Sequence, residues 1–209
     1  MKILKRGTTN RQMTKVVQRA LHLMDDGIYG VATEEAVRAF QMQNGLVPDG
    51  IVGVKTLVKL LKLSLSLSGS QREITEIIVH CAATPEGKDY TVEDIRRWHR
   101  QQGWSDVGYH YVIGRYGELW TGRDVDIQGA HCAAGGHNRK SIGVCYIGGV
   151  DKDGKTPKDT RTLQQKATML KLLIDLKKLY PGVKIYGHHD FERNKDCPSF
   201  DAKSEYRDL

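Results

Sequence analysis

The chain has 209 residues, and no stretch of it reaches the roughly 18 consecutive apolar residues that a membrane-spanning helix needs. Its 32 Lys and Arg residues outnumber its 25 Asp and Glu residues, which gives a formal net charge of +7 at neutral pH. We therefore expect one or two soluble domains and no insertion into a membrane.

The positive charge is concentrated near the N-terminus. Residues 1–66 contain ten Lys and Arg residues against five acidic ones, a net charge of +5, and the rest of the chain carries +2. This asymmetry indicates contact with an anionic polymer or surface, such as nucleic acid, lipid head groups or a phosphate-bearing envelope, or else a solvated basic face. The basic residues 1–7 are not followed by an apolar core of signal-peptide length. We expect the chain to stay in the cytoplasm unless another factor releases it.

Residues 11–61 contain an internal repeat. The pattern Asp-Gly-Ile-x-Gly occurs at residues 26–30 and again at 49–53, and a helical period precedes each copy. Because glycine adopts positive φ without strain, the two copies predict two similar chain corners. A small bundle of this kind is better suited to binding a ligand than to catalysis.

Three helices are predicted around these corners. The apolar face of the first falls at i, i+3, i+4 and i+7: Val17, Ala20, Leu21 and Met24. The second helix is predicted to begin after an N-cap at Thr33 and to end at Gly45. The third is short and is marked by Leu57, Leu60 and Leu61.

Several of these residues carry a family resemblance. They are Val17-Gln18, Leu21, the two Asp-Gly turns, Thr33, Ala36-Val37, Phe40-Gln41, Asn44-Gly45-Leu46 and Thr56-Leu57. In this order they resemble the small three-helix peptidoglycan-binding domain. The resemblance implies that residues 1–62 form a domain that holds the protein on the cell wall. Residues 63–72, rich in Ser and Gly, are predicted to be a linker, although their Leu/Ser alternation also fits a short edge strand or a docked extended segment.

The remaining residues, 73–209, alternate between strand and helix patterns. An apolar strand over residues 74–79 ends at His80, and a capping signature at Thr91 and Asp94 begins a helix. A β-hairpin is predicted from residues 108–113 and 118–120, and a buried strand from residues 141–147.

The C-terminal part continues this alternation. Thr162 and Gln165 are predicted to cap a long helix, whose apolar face is read as Leu163, Ala167, Leu170 and Ile174. A last strand over residues 183–186 leads to His188. We predict an α/β domain with a mixed central sheet flanked by helices, preceded by the small three-helix bundle.

Residues near the C-terminus suit a metal. His188 and Cys197 are nine positions apart, and Lys195 stands two residues before the thiol. Imidazole nitrogen and thiolate sulfur are ligands that Zn²⁺ prefers, and a catalytic zinc uses three protein ligands and leaves a position for water. His80 is the best third candidate, although a histidine at a strand end is more often an ordinary rim residue. The other cysteines, Cys81, Cys132 and Cys145, are predicted to be small buried hydrophobes rather than disulfide partners.

A second resemblance covers residues 74–201. It is carried by Val79-His80-Cys81, Trp98-His99, Gly103-Trp104, residues 106–110, Gly129-Ala130-His131, Asn138, residues 141–144, His188-His189, Lys195 and residues 197–200. These residues resemble the zinc-dependent N-acetylmuramoyl-L-alanine amidases, the type 2 family that includes phage endolysins. The resemblance implies zinc ligands at His80, His188 and Cys197, and residues needed for chemistry at Tyr109 and Lys195.

The implied reaction is hydrolysis of the amide between N-acetylmuramic acid and the L-alanine of the stem peptide by zinc-activated water. Lys195 is expected to stabilise the oxyanion. Tyr109 is expected to orient water or substrate and to shuttle a proton, because a phenol of pKa near 10 is a poor base at neutral pH. His131, in a glycine-rich loop, is expected to contact the substrate. The expected partner is peptidoglycan, both glycan strand and stem peptide, with no nucleic acid, and the expected state is a monomer.

Several interpretations of this resemblance stay open. A phage lysis enzyme that acts on the wall once the host membrane is permeabilised fits a chain without an export signal, and a bacterial autolysin is an alternative. A peptidoglycan-recognition protein that binds without cutting is another, but such binders are expected to lack the metal thiolate. A purely structural zinc site would need a fourth ligand, which His189 or Asp190 could supply.

Overall fold

The computed structural model describes residues 3–61, 65 and 67–209. The chain divides into two units, Met1–Ser64 and Leu65–Leu209. Within the described ranges, every helix is too short or too polar to cross a membrane. The predicted linker at 63–72 lies partly outside the described residues.

The described residues of the first unit form three helices, α1 (Arg11–Ala20), α2 (Val31–Gln43) and α3 (Val54–Leu60), as the repeat predicts. Leu4 and Val52 form an isolated antiparallel β-bridge, which joins the two chain segments that contain them. The apolar side chains buried in this unit are Leu4, Met13, Val17, Tyr29, Val37, Val52, Leu57 and Leu60.

Two details of the predicted helices were wrong. The first helix ends at Ala20, and Met24 is 84% exposed, because the chain turns at His22 with a φ of 57°. The N-cap of α2 is Gly30 and not Thr33. Thr33 lies inside the helix with its hydroxyl buried, where it accepts a hydrogen bond from the side chain of Gln18.

A buried glutamine holds each of the two repeated turns. The amide group of each side chain donates to an Asp carboxylate, an Ile carbonyl and a Thr hydroxyl, and its oxygen accepts from the N–H of the glycine after the Asp. For Gln18 these partners are Asp26 (2.8 Å), Ile28 (3.1 Å), Thr33 (3.1 Å) and Gly27 (2.9 Å). For Gln41 they are Asp49 (2.8 Å), Ile51 (2.9 Å), Thr56 (3.1 Å) and Gly50 (2.9 Å). Gly27 and Gly50 have φ of 75° and 70°, as the predicted corners require.

The second unit is built on a five-stranded sheet of β1 (Glu76–Cys81), β3 (Tyr111–Ile113), β4 (Leu119–Thr121), β5 (Ser141–Tyr146) and β7 (Lys184–Gly187). Their order across the sheet is β4-β3-β5-β1-β7. A separate short ladder pairs β2 (Thr84–Pro85) with β6 (Gly149–Val150). β4 pairs antiparallel with β3, and the other neighbours in the five-stranded sheet are parallel. The predicted mixed α/β sheet is therefore confirmed.

Helices of this unit are α4 (Val92–Gln101), α5 (Leu163–Leu179) and α6 (Ala202–Glu205). Both predicted capping boxes are present, at Thr91 and Thr162. The predicted face of α5 was wrong in part, because Leu170 and Ile174 are only half-buried. The side chains buried in the core instead include Met169, Leu172, Leu173 and Leu176. Since α5 carries leucines on more than one face, the periodicity of its apolar residues does not identify which face is buried.

The segment before β1 is docked on this unit. Leu65 and Leu67 pack against its core. The guanidinium of Arg72 donates to the carbonyl oxygens of Val125 (2.8 Å), Arg139 (3.1 Å) and Ser141 (3.3 Å). The described residues of 65–72 thus resemble a docked extended segment rather than a free tether.

Candidate metal centre

Three side chains predicted to bind a metal meet at one end of the sheet. His80, His188 and Cys197 each offer one ligand atom, and these atoms lie within 4.8 Å of one another. The Sγ of Cys197 is 3.7 Å from Nδ1 of His80, and the ring centroids of the two histidines are 4.6 Å apart. His80 is buried, and the other two side chains are partly exposed.

The sheet topology explains this convergence. β1 and β7 are adjacent parallel strands, with Val79 paired to Gly187, so their carboxyl ends lie side by side. His80 is near the end of β1, and His188 follows the end of β7 directly. The loop with Cys197 returns to the same edge, where its Sγ accepts a hydrogen bond from the N–H of Cys81 (3.3 Å).

The donor set fits zinc. Zn–S and Zn–N bonds of about 2.3 and 2.0–2.1 Å at a tetrahedral angle place the two ligand atoms about 3.6 Å apart, close to the observed 3.7 Å between Cys197 Sγ and His80 Nδ1. Burial, with the nearby imidazoles of His131 and His188, holds the pKa of His80 well below its usual range. His80 is therefore neutral at physiological pH, as a metal ligand must be.

The two residues predicted as possible fourth ligands lie outside this group. Among the described residues, neither His189 nor Asp190 belongs to a metal-binding group. One carboxylate oxygen of Asp190 accepts a hydrogen bond from the N–H of Gly187 (2.8 Å), which fixes the turn that carries His188. With three candidate protein ligands, the group has the number that a catalytic zinc site uses, whereas a structural zinc site uses four.

Tyr109 and Lys195 occupy different surroundings. The ring of Tyr109 lies 5.1 Å from the ring of His80, and burial raises its pKa well above the ordinary value of a phenol. Its hydroxyl therefore stays protonated at neutral pH. Lys195 is exposed, and its backbone N–H donates to the carbonyl of Glu192 (2.9 Å). Its ammonium donates no hydrogen bond to a described residue and forms no ion pair with one.

His131 lies beside the metal ligands. It is only 7% exposed, and its Nδ1 is 3.0 Å from Nε2 of His80. Its predicted contact with substrate stays a prediction. Gly129 and Gly143 enclose the ring so closely that a Cβ at either position would lie 2.5 Å from its Cδ2 atom.

Sequence reasoning missed one residue at this site. Oε1 of Glu192 is 3.1 Å from Nε2 of His188. The i, i+4 spacing of these two residues was the available signal, but it is common on protein surfaces and does not by itself indicate a site. A second potential ligand group in the described chain joins Glu192 and His188 with Cys132.

Comparison with known proteins identifies the family of this chain. Residues 70–200 match the family described as N-acetylmuramoyl-L-alanine amidase. The chain belongs to this family. Residues 14–60 of the amidase also match the family described as a putative peptidoglycan binding domain.

Curated relatives of the amidase include phage endolysins. The endolysin of Klebsiella phage KP32 is 44% identical over 133 residues, which cover 64% of this chain and 85% of that protein. The endolysin of Escherichia phage T7 is 45% identical over 134 residues, which cover 64% of this chain and 86% of that protein. The amidase is accordingly a peptidoglycan hydrolase of the endolysin type, and the prediction of a hydrolase rather than a non-catalytic binder is confirmed.

Solved structures share the fold. N-acetylmuramoyl-L-alanine amidase LysC from Clostridium intestinale URNW aligns with a TM-score of 0.52 at 24% identity, over 68% of this chain and 90% of that one. Wild-type Drosophila PGRP-LB aligns with a TM-score of 0.50 at 27% identity, over 69% of this chain and 85% of that one.

Proposed function

We propose that this amidase depends on zinc held by His80, His188 and Cys197, and that it cleaves the amide between N-acetylmuramic acid and L-alanine. The observation that carries the proposal is the convergence of two imidazoles and one thiol, with 3.7 Å between the sulfur and a nitrogen of His80. When bound, zinc supplies a water of pKa about 7 and polarises the scissile carbonyl.

The protein's own groups complete the site in this proposal. The ammonium of Lys195, two residues from Cys197, provides positive charge for the oxyanion of the tetrahedral intermediate. Tyr109 keeps its proton because burial raises its pKa, so it acts as a hydrogen-bond donor that orients water or substrate.

The division of labour along the chain is also proposed. Residues 1–62 bind the cell wall, residues 63–72 connect the two domains, and residues 73–209 hydrolyse the peptidoglycan. The match of residues 14–60 to a peptidoglycan-binding family supports the first assignment. We further propose that the protein is a monomer made in the cytoplasm of a phage-infected host, from which it reaches the wall after the membrane is permeabilised. The endolysin relatives favour this origin over a bacterial autolysin.

Purified cell walls test the proposed reaction. The loss of turbidity should stop when a chelator removes the metal and resume when zinc is returned. The products should contain new free amino groups without new reducing sugar ends. New reducing ends would indicate cleavage of the glycan strand, and undiminished activity after complete metal removal would contradict zinc dependence.

A further inference from the structure

Each of the two histidines at the metal centre has its second ring nitrogen occupied by a neighbour. Nδ1 of His80 faces the sulfur of Cys197, whereas its Nε2 lies 3.0 Å from Nδ1 of His131. Nε2 of His188 lies 3.1 Å from the carboxylate oxygen Oε1 of Glu192. The two rings therefore have the same arrangement, with Nε2 bonded to the protein and Nδ1 left for the ion.

A buried chain of hydrogen bonds sets the tautomer of His80. The hydroxyl of Ser141 donates to the carbonyl of His137 (2.7 Å), because a carbonyl can only accept. The Ser141 oxygen is then left to accept from Nε2–H of His131, which is 3.4 Å away. With its proton on Nε2, neutral His131 has a lone pair on Nδ1 and accepts from Nε2–H of His80. The lone pair of His80 is consequently on Nδ1, on the side of Cys197.

The same reasoning applies to His188 with a charged partner. An ionised carboxylate accepts hydrogen bonds but cannot donate them. Nε2 of His188 therefore carries a proton and donates a hydrogen bond to Glu192. The lone pair of His188 is again on Nδ1. Glu192 is held in place by the backbone, since its N–H donates to the carbonyl of His188 (3.1 Å). Both side chains are partly buried, at 13% and 25% exposure.

We propose that His131 and Glu192 are positioning residues that present Nδ1 of His80 and Nδ1 of His188 to the metal. This inference rests on the proposed zinc site. A hydrogen bond to the far nitrogen of a ligating imidazole fixes its orientation and increases its basicity, and loss of such a partner lowers metal affinity about 10–100-fold. We expect neither His131 nor Glu192 to contact the ion.

Zinc affinity of the full chain tests the proposal most directly. The dissociation constant is measured by competition with a chromophoric chelator for Glu192→Ala, His131→Leu and His131→Asn. We expect the first two to raise the dissociation constant about 10–100-fold. His131→Asn should retain most of the zinc affinity that His131→Leu loses, because the Asn side-chain oxygen can replace Nδ1 as the hydrogen-bond acceptor. The visible spectrum of the cobalt(II)-substituted protein should change in the first two variants, since the ligand rings lose their orientation.

Control variants separate positioning from packing and from direct ligation. The melting temperature of the metal-free protein should be unchanged in Glu192→Ala, whose carboxylate is partly exposed. Cys132→Ala should leave zinc affinity unchanged, although Cys132 shares the second potential ligand group with His188 and Glu192. An effect of Cys132→Ala equal to that of Glu192→Ala would overturn the proposal, because it would make Glu192 a ligand.

Two further outcomes separate failure of the positioning roles from failure of the proposed zinc site. Normal zinc affinity in both Glu192→Ala and His131→Leu would overturn the positioning roles while leaving the zinc site intact. Cys197→Ala should lose zinc. If Cys197→Ala still binds one zinc with the affinity of the unmodified protein, the ligand set itself fails.

Discussion

Replacement of Gln41 by Ala tests whether the buried glutamines hold the first unit together. Gln41 is 1% exposed, and its side chain makes four hydrogen bonds, with Asp49, Ile51, Thr56 and Gly50. Alanine cannot make any of these bonds. We expect the turn at residues 49–53 to lose its connection to α2.

The expected loss is large compared with the stability of so small a unit. Each hydrogen bond contributes about 1 kcal/mol net, and more where a buried partner is left unsatisfied, so four bonds amount to about 4 kcal/mol. A unit of this size has a free energy of unfolding of about 3–9 kcal/mol, at 0.05–0.15 kcal/mol per residue. Gln41→Ala should therefore leave the first unit marginally stable or unfolded.

Hydrogen exchange of the full chain measures this effect by region. Amides of residues 11–61 should lose protection in Gln41→Ala, and those of β1 and β5 should keep it. Gln18→Ala should have a similar effect, because Gln18 makes the equivalent four bonds. The matched control is Gln43→Ala, an exposed position on the same helix, which should cost no more than about 0.5 kcal/mol. Equal stability of the Gln41 and Gln43 variants would refute the reasoning.

Three other predictions concern catalysis, wall binding and acid stability. Lys195→Ala should keep zinc and lose turnover, and zinc loss equal to that of Cys197→Ala would contradict the separate roles. Deletion of residues 1–62 should leave hydrolysis of small fragments intact and weaken association with whole walls; undiminished wall binding of the shortened chain would contradict the anchor assignment. Burial raises the pKa of Asp159, but hydrogen bonds and the charge of Arg161 outweigh this and leave it at about 2, below the usual 3.8. The stabilisation that the ionised Asp159 carboxylate provides is present above about pH 4 and is lost as the pH falls towards 2. Asp159→Asn should therefore lower the melting temperature at pH 7. The melting temperature of this variant should also decline less between pH 4 and pH 2 than that of the unmodified protein. A melting curve of Asp159→Asn with the same pH dependence as the unmodified protein would count against this linkage.

Local sequence signals predicted the elements well. The capping pairs at Thr91 and Thr162 and the glycine corners at Gly27 and Gly50 are all present. Each depends on residues close in the chain, whose short side chains or free φ angles determine the local backbone. The face of α5 was predicted wrongly in part, because it depends on what packs against the helix, and the end of α1 was missed because His22 adopts a positive φ that is rare for a residue other than glycine.

At the metal centre, the sequence indicated the chemical types of the ligands but not their neighbours. Histidine and cysteine pointed to a metal through their own chemistry. The partners of those ligands depend on the sheet order, which brings the loop of His131 to the side of His80. Glu192 was missed because a carboxylate four residues from a histidine does not by itself indicate a role at a metal site. That role becomes apparent only when the ring nitrogen that it contacts is known.

The central claim is that one zinc, held by His80, His188 and Cys197, makes this amidase active. The most direct measurement is zinc content alongside the release of L-alanine amino groups from purified peptidoglycan, for the unmodified protein and for Cys197→Ala. We expect one zinc per chain and amide cleavage in the first protein, and loss of both in the second. Full cleavage by a zinc-free Cys197→Ala protein would contradict it.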